Sequence, residues 1–159
     1  MVKEALFNII QFDVEGRRVL DLFAGTGQLG IEALSRGAES AVFVDESVTA
    51  VRLIRENLAQ CGFSGEVALS DAARYLKRGG QFDLVFADPP YNSEQIDKIL
   101  QKIYEFDILT TGGIIICETK KEHEMPEMPP PYSKRREYRY GKVKLTVYEK
   151  LTEEGAEEQ

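Results

Sequence analysis

The stretch VLDLFAGTGQLGIEALSRG, residues 19–37, constrains the fold more than any other part of the chain. RRVLDLF reads as a buried strand, AGTGQLG as a tight turn, and IEALSRG as a helix that ends near Gly37. Gly25, Gly27 and Gly30 satisfy G-x-G-x-x-G between strand and helix, and Asp45 closes the next strand about 20 residues after Gly25. Such a unit is half of a parallel crossover, so further strand–helix units must follow.

They do. SAVFVD is a strand, and SVTAVRLIRENLAQCG a helix with Ser47 as N-cap and Val51, Ile54, Leu58 and Cys61 on its buried face. GEVALS and DAARYLKRGG form the next strand and a short helix. FDLVFAD, apolar throughout its middle, predicts a central parallel strand covered on both faces. SEQIDKILQKIYEF is a helix with Ile96, Ile99, Leu100 and Ile103 inward, and GGIIICE a fifth strand. RREYRY and KVKLTVYE pair as a hairpin about Tyr140-Gly141. Ahead of all this, Val2, Ala5, Leu6, Ile9 and Ile10 share one helical face. The expectation is a doubly wound, Rossmann-like α/β sheet with an antiparallel hairpin at one edge, whose ligands bind at the carboxyl ends of the strands.

At 159 residues the chain has room for one domain, expected over residues 1–150, with the acidic LTEEGAEEQ as a disordered tail over 151–159. No apolar run approaches the roughly 18 residues of a membrane span, and the start MVKEALFNII lacks the pattern of a signal peptide. Cys61 and Cys117 are unpatterned and His123 is the single histidine. That argues against a zinc site or disulfide framework and fits a reducing cytoplasm. His123 reads as a surface residue. The net charge of −7 is unfavourable for nucleic acid, but Glu153, Glu154, Glu157 and Glu158 fall in the tail. Lys134, Arg135, Arg136 and Arg139 form a local basic patch, either an RNA contact or a solvated strand edge.

The glycine loop alone also suits a nicotinamide dinucleotide. Asp21, four residues before Gly25, discriminates: a carboxylate there repels a pyrophosphate, whereas S-adenosylmethionine offers an ammonium and a sulfonium cation. Gly25 and Gly27 let the backbone pass close to the cofactor, Asp45 accepts from the ribose hydroxyls, and Asp71 with Ala72 approaches the adenine. Phe23, Thr26 and Glu46 complete the expected cofactor contacts. Asp88-Pro89-Pro90-Tyr91 ends the fourth strand, where it can share a crevice with the first loop. The prolines fix the backbone and remove N–H donors. The Asp88 carboxylate and Pro89 carbonyl then accept both hydrogens of an exocyclic amine, and Tyr91 stacks on the base.

VLDLFAGTGQLGIEALSRGA, FVDES, Asp71-Ala72, FDLVFADPPY and the terminal YG before LTVYEK together resemble the RsmD family of bacterial 16S rRNA guanine-N2 methyltransferases, from Val2 to about Lys150. The resemblance implies a class I methyltransferase fold with a seven-stranded sheet. It also implies S-adenosylmethionine as methyl donor, S-adenosylhomocysteine as product, and a guanine of 16S rRNA in the 30S subunit or its assembly intermediate as substrate. A monomer is expected. Two departures stand out. Family members carry Glu where Asp45 ends the second strand, and a basic, glycine-rich segment ahead of the EALFNI helix, inside which this sequence begins. A DNA adenine-N6 methyltransferase, a non-catalytic assembly protein and an NAD-dependent oxidoreductase are the alternatives.

Overall fold

The computed structural model describes residues 2–90 and 93–152; Tyr91 and the tail from 153 lie outside the described residues. Helix α1 (Lys3–Ile9) leads into strand β1 (Arg18–Leu22) and helix α2 (Gln28–Ser35). β2 (Ser40–Asp45), α3 (Val48–Cys61), β3 (Glu66–Leu69), α4 (Ala72–Lys77) and β4 (Phe82–Ala87) follow. The chain closes with α5 (Ser93–Glu105), β5 (Leu109–Lys120), β6 (Tyr132–Tyr140) and β7 (Val143–Lys150). No helix among the described residues is long and apolar enough to cross a membrane.

The seven strands form one sheet in the order β3-β2-β1-β4-β5-β7-β6. β1 pairs in parallel with β2 on one side and β4 on the other. The chain therefore winds outward in one direction from β1 to β3, then returns and winds the other way from β4. That reversal leaves a crevice outside the carboxyl ends of β1 and β4. β7 inserts antiparallel between β5 and β6, which places the hairpin at the sheet edge as its alternating, charged sequence requires. Its loop is Gly141-Lys142, one residue beyond the expected Tyr140-Gly141. Tyr140 pairs with Val143, and Gly141, at φ 58°, takes the first loop position, where a type II′ turn demands glycine.

Apolar side chains on alternate positions feed two cores. Val19, Phe43, Leu84, Phe86, Ile114 and Ile116 pack beneath α1, α2 and α3, while Leu20, Leu22, Val85, Ala87 and Ile115 pack beneath α4 and α5. Ile96, Ile99, Leu100 and Ile103 are buried as expected. Leu6 and Ile10 carry the inner face of α1 together with Phe7, whose ring lies 5.8 Å from that of Phe86. Ser47 caps α3, its Oγ accepting the Ala50 N–H at 3.2 Å. Cys61, expected on the buried face, is exposed. It is the last helical residue before the left-handed Gly62, and Phe63 covers the core in its place.

The third glycine of the loop motif has a packing task. A Cβ on Gly30 would overlap the ring of Phe43, which is fully buried on β2. Its absence lets α2 lie close against the sheet. Gly30→Ala is expected to lower stability by about 1–3 kcal/mol in urea denaturation; an unchanged midpoint would contradict this close packing.

Candidate active site

The loops after β1, β2, β3 and β4 meet around one cavity of about 620 Å³, large enough for a nucleoside-sized ligand. Phe23 and Gly25 come from the β1 loop, Asp45 and Glu46 from the end of β2, and Asp71 and Ala72 from the start of α4. Asp88 and Pro90 come from the end of β4, and Gln95, Lys98 and Ile99 from α5.

The β1 loop is held under strain. Phe23 sits at φ 57°, a left-handed conformation that costs a non-glycine residue on the order of 1–3 kcal/mol, and Gly25 follows at φ 61°. What holds it is β2. The Ala24 N–H donates to the Val44 carbonyl at 3.0 Å, and the Gly25 N–H to Asp45 Oδ2 at 2.9 Å. Asp45 Oδ1 accepts the Ser47 N–H at 2.9 Å, so one carboxylate ties the glycine loop to the entry of α3. From α3, Asn57 donates to the Thr26 carbonyl at 2.9 Å. Gly27, left-handed at φ 82°, starts α2.

Acids dominate the wall: Asp45, Glu46, Asp71 and Asp88 against Lys98 as the cation among the lining residues. Asp21 lies beneath them, essentially without solvent contact, and its Oδ2 accepts the Gly30 N–H at 3.0 Å. Burial pushes its pKa up to about 7; the Gly30 hydrogen bond opposes this, and the charges of Asp88 and Asp45 add to it. Asp88 is likewise pushed up to about 7, first by burial, then by the charge of Glu118 and a hydrogen bond to it. The cavity wall is short of positive charge, which is the electrostatic demand a cationic ligand would meet. Burial also pushes the Cys117 thiol up, far from any nucleophilic range. Among the described residues no His, Cys, Asp and Glu cluster could hold a metal.

The family model described as Conserved hypothetical protein 95 matches residues 1–149. The chain belongs to the RsmD family. It is 39% identical over 155 residues to the Bacillus subtilis protein YlbH, covering 94% of this chain and 84% of that one. It is 30% identical over 151 residues to the ribosomal RNA small subunit methyltransferase D of Escherichia coli K12, covering 94% and 76%. Among solved structures it resembles the Escherichia coli protein yhhF with a TM-score of 0.89 at 29% identity, covering 96% of this chain and 87% of that one. The fold is thus the Rossmann-like fold of methyltransferases.

Within this RsmD-family site, Phe23, Gly25, Asp45, Glu46, Asp71, Ala72, Asp88 and Pro90 stand on the cavity wall. Asp21, Thr26, Gly27 and Pro89 do not line it. Asp21 reaches the cavity through its field rather than by contact, and Thr26 and Gly27 shape the turn. Asp71 caps α4, its Oδ1 accepting the Arg74 N–H at 2.9 Å. Gln95, Lys98 and Ile99 were not expected there. Their i, i+3, i+4 spacing just after the DPPY loop is the available signal, since the first turns of that helix must rise over the crevice. His123, read as a surface residue, is partly buried, with Nε2 2.9 Å from Asp97 Oδ1 on α5.

The basic patch divides. Lys134 meets the Met125 carbonyl at 3.2 Å and Glu127 and Glu137 at 3.2 and 3.7 Å, and Arg135 meets Glu149 at 3.4 Å. Arg136 lies 3.5 Å from the Tyr138 hydroxyl. Arg139 is aligned through Lys144 of β7 with Thr119 of β5, at the same end of the sheet as Asp88.

The raised carboxyls carry a pH signature. Unfolded, Asp21 and Asp88 release their protons near the ordinary carboxylate value of 3.8; folded, they hold them to about 7. Their contribution therefore reduces stability as pH rises from about 4 to about 7 and is constant above. Asp21→Asn keeps an oxygen for the Gly30 N–H without the charge. Urea denaturation is expected to show it more stable than wild type at pH 7.5, by on the order of 1–4 kcal/mol, with little difference at pH 4. Equal stability at pH 7.5 would contradict the buried-charge assignment.

Proposed function

We propose that this chain is an S-adenosylmethionine-dependent methyltransferase that modifies the exocyclic N2 of a guanine in 16S rRNA, presented in the 30S subunit or an assembly intermediate. One observation carries the reading: Asp88 and Pro90 stand on the wall of the same cavity as Gly25, Asp45 and Asp71. A cofactor held by the first three strand ends therefore faces the motif suited to hold an amine. The name of the Escherichia coli relative supports a small-subunit rRNA substrate.

The residues present suit that cofactor. The acidic wall and the raised carboxyls of Asp21 and Asp88 favour a cation and oppose a pyrophosphate. Asp45 and Glu46 would hold the ribose hydroxyls, Asp71 and Ala72 the adenine, and the turn through Gly25, Thr26 and Gly27 the methionyl portion beside Phe23. Asp45 already accepts two backbone N–H groups, but a carboxylate has lone pairs for further donors. When bound, the cofactor supplies a methyl group activated on a sulfonium.

At the acceptor side, Asp88 and the Pro89 carbonyl take the two hydrogens of the amine. This fixes the nitrogen, leaves its lone pair free, and disperses the positive charge that develops there. Pro90 stiffens the loop, and Tyr91 stacks on the extruded base. Arg139 supplies phosphate contacts at the same end of the sheet, and Arg136, on the opposite face of β6, adds to the positive field of that edge.

Asp88→Ala is expected to lower tritiated methyl transfer to unmethylated 30S particles by about 10²-fold or more, with S-adenosylmethionine affinity nearly unchanged. Mass analysis of the digested rRNA should show N2-methylguanine. A near wild-type rate for Asp88→Ala would rule out the catalytic assignment, and a methylated adenine would rule out the substrate.

Separately, charge reversal at Arg139 and Arg136 is expected to weaken 30S binding and flatten its dependence on salt while sparing cofactor affinity. An unchanged salt slope would leave these residues as edge-strand solubility charges.

A further inference from the structure

The sheet sets a second carboxyl beside Asp88. β4 and β5 run in parallel with Ala87 opposite Cys117, so the next residues, Asp88 and Glu118, leave adjacent strands side by side. Glu118 is near enough that, after burial, its charge and its hydrogen bonding are what push the Asp88 carboxyl up. Glu118 is half-buried, and its Oε1 also accepts the Val2 N–H at 3.3 Å. Among the described residues no lysine or arginine forms an ion pair with it. A carboxyl at this depth beside another acid is more than its structural contact requires: among the described residues Val2 is its backbone donor, and any acceptor would serve that bond.

Chemistry supplies a use. Two acceptors at Asp88 and Pro89 suit the amine of guanine, adenine or cytosine equally, so they select an amine but no particular base. What separates the bases is the ring nitrogen beside the amine. In guanine N1 carries a hydrogen and donates; in adenine N1, and in cytosine N3, present a lone pair and accept. A proton shared between Asp88 and Glu118 occupies one lone pair on each carboxyl and leaves acceptor oxygens on both. Such a pair offers two neighbouring acceptors, which complement the adjacent N1–H and N2–H donors of guanine and repel the lone pair of adenine or cytosine.

We propose that Glu118 is the residue that specifies guanine, forming with Asp88 a two-carboxyl edge that accepts N1–H beside the N2 amine. The inference rests on the guanine-N2 reading above and adds to it the group that makes the choice. A site built around a hydrogen bond to one donor discriminates strongly against a base that lacks it, because the buried acceptor is then left facing a lone pair.

The test uses the full chain and Glu118→Gln, which keeps the length of the side chain and an oxygen for the Val2 N–H. A cooperative urea transition and retained S-adenosylmethionine binding establish that the variant is folded. Substrates are 30S particles reconstituted with 16S rRNA carrying either guanine or 2-aminopurine at the mapped target; 2-aminopurine keeps the 2-amine but has a bare N1. Wild type is expected to prefer guanine in kcat/KM by at least about 10²-fold. Glu118→Gln, whose amide can donate to the bare N1, should narrow that preference by tenfold or more, with 2-aminopurine gaining relative to guanine. Carbon-13 carboxyl titration supplies a readout without substrate: the midpoint of Asp88 should fall in Glu118→Gln. An unchanged base preference, or an Asp88 midpoint that does not move, overturns the inference while N2-methylguanine as product leaves the functional reading standing. Methylation of an adenine or cytosine amine by wild type would overturn both.

Discussion

The whole carboxyl end of the sheet depends on β1 being hydrogen-bonded on both sides, to β2 and to β4. Because the chain reverses direction there, the loops leaving β1 and β4 part instead of packing together, and a crevice opens that no side chain of the core can fill. The glycines then act within that frame. Gly30 lets α2 lie against Phe43, and Gly25 follows the strained Phe23 in turning the loop over the end of β2, where Asp45 holds it. Removing any of these contacts would reshape the cavity before touching a ligand.

The proposed choice of cofactor rests on electrostatics. Burying Asp21 beneath the loop, with one backbone N–H as its bonded partner, is costly when Asp45 and Asp88 stand nearby. A protein that needed only a stable turn would be better served there by an apolar residue or an amide. Retaining the acid makes sense if a positive charge arrives during function, since the same field that destabilises the empty site strengthens binding of a cation and works against pyrophosphate. The charges of Asp88 and Asp45 both raise the cost of ionising Asp21, and a cationic ligand would offset that cost.

The strands and helices were legible because their signals are local. FDLVFAD is apolar without period and so must be covered on both faces, and IDKILQKI repeats at helical spacing. That DLFAGTG and DPPY would border one crevice was legible for a similar reason: acids and conformationally special residues stand at the ends of buried strands. What escaped the sequence depends on neighbours far along the chain. Cys61 kept the helical period but fell at the end of α3, where Phe63 takes over the core. His123 stands in a loop whose packing depends on Asp97, 26 residues away. The position of Asp21 beneath the loop, rather than on the wall, and the meeting of Glu118 with Asp88 follow from strand register, which no spacing in the sequence reveals.

The central claim is that the acids at the strand ends hold a cationic cofactor. Calorimetric titration with S-adenosylmethionine at pH 6.5, in buffers of differing ionisation enthalpy, tests it most directly, with NAD as the comparison. A bound sulfonium and ammonium should lower the pKa values of Asp21 and Asp88 from about 7, so binding should release protons, and NAD should not bind. Binding of NAD in preference to S-adenosylmethionine, or S-adenosylmethionine binding without proton release, would contradict the account.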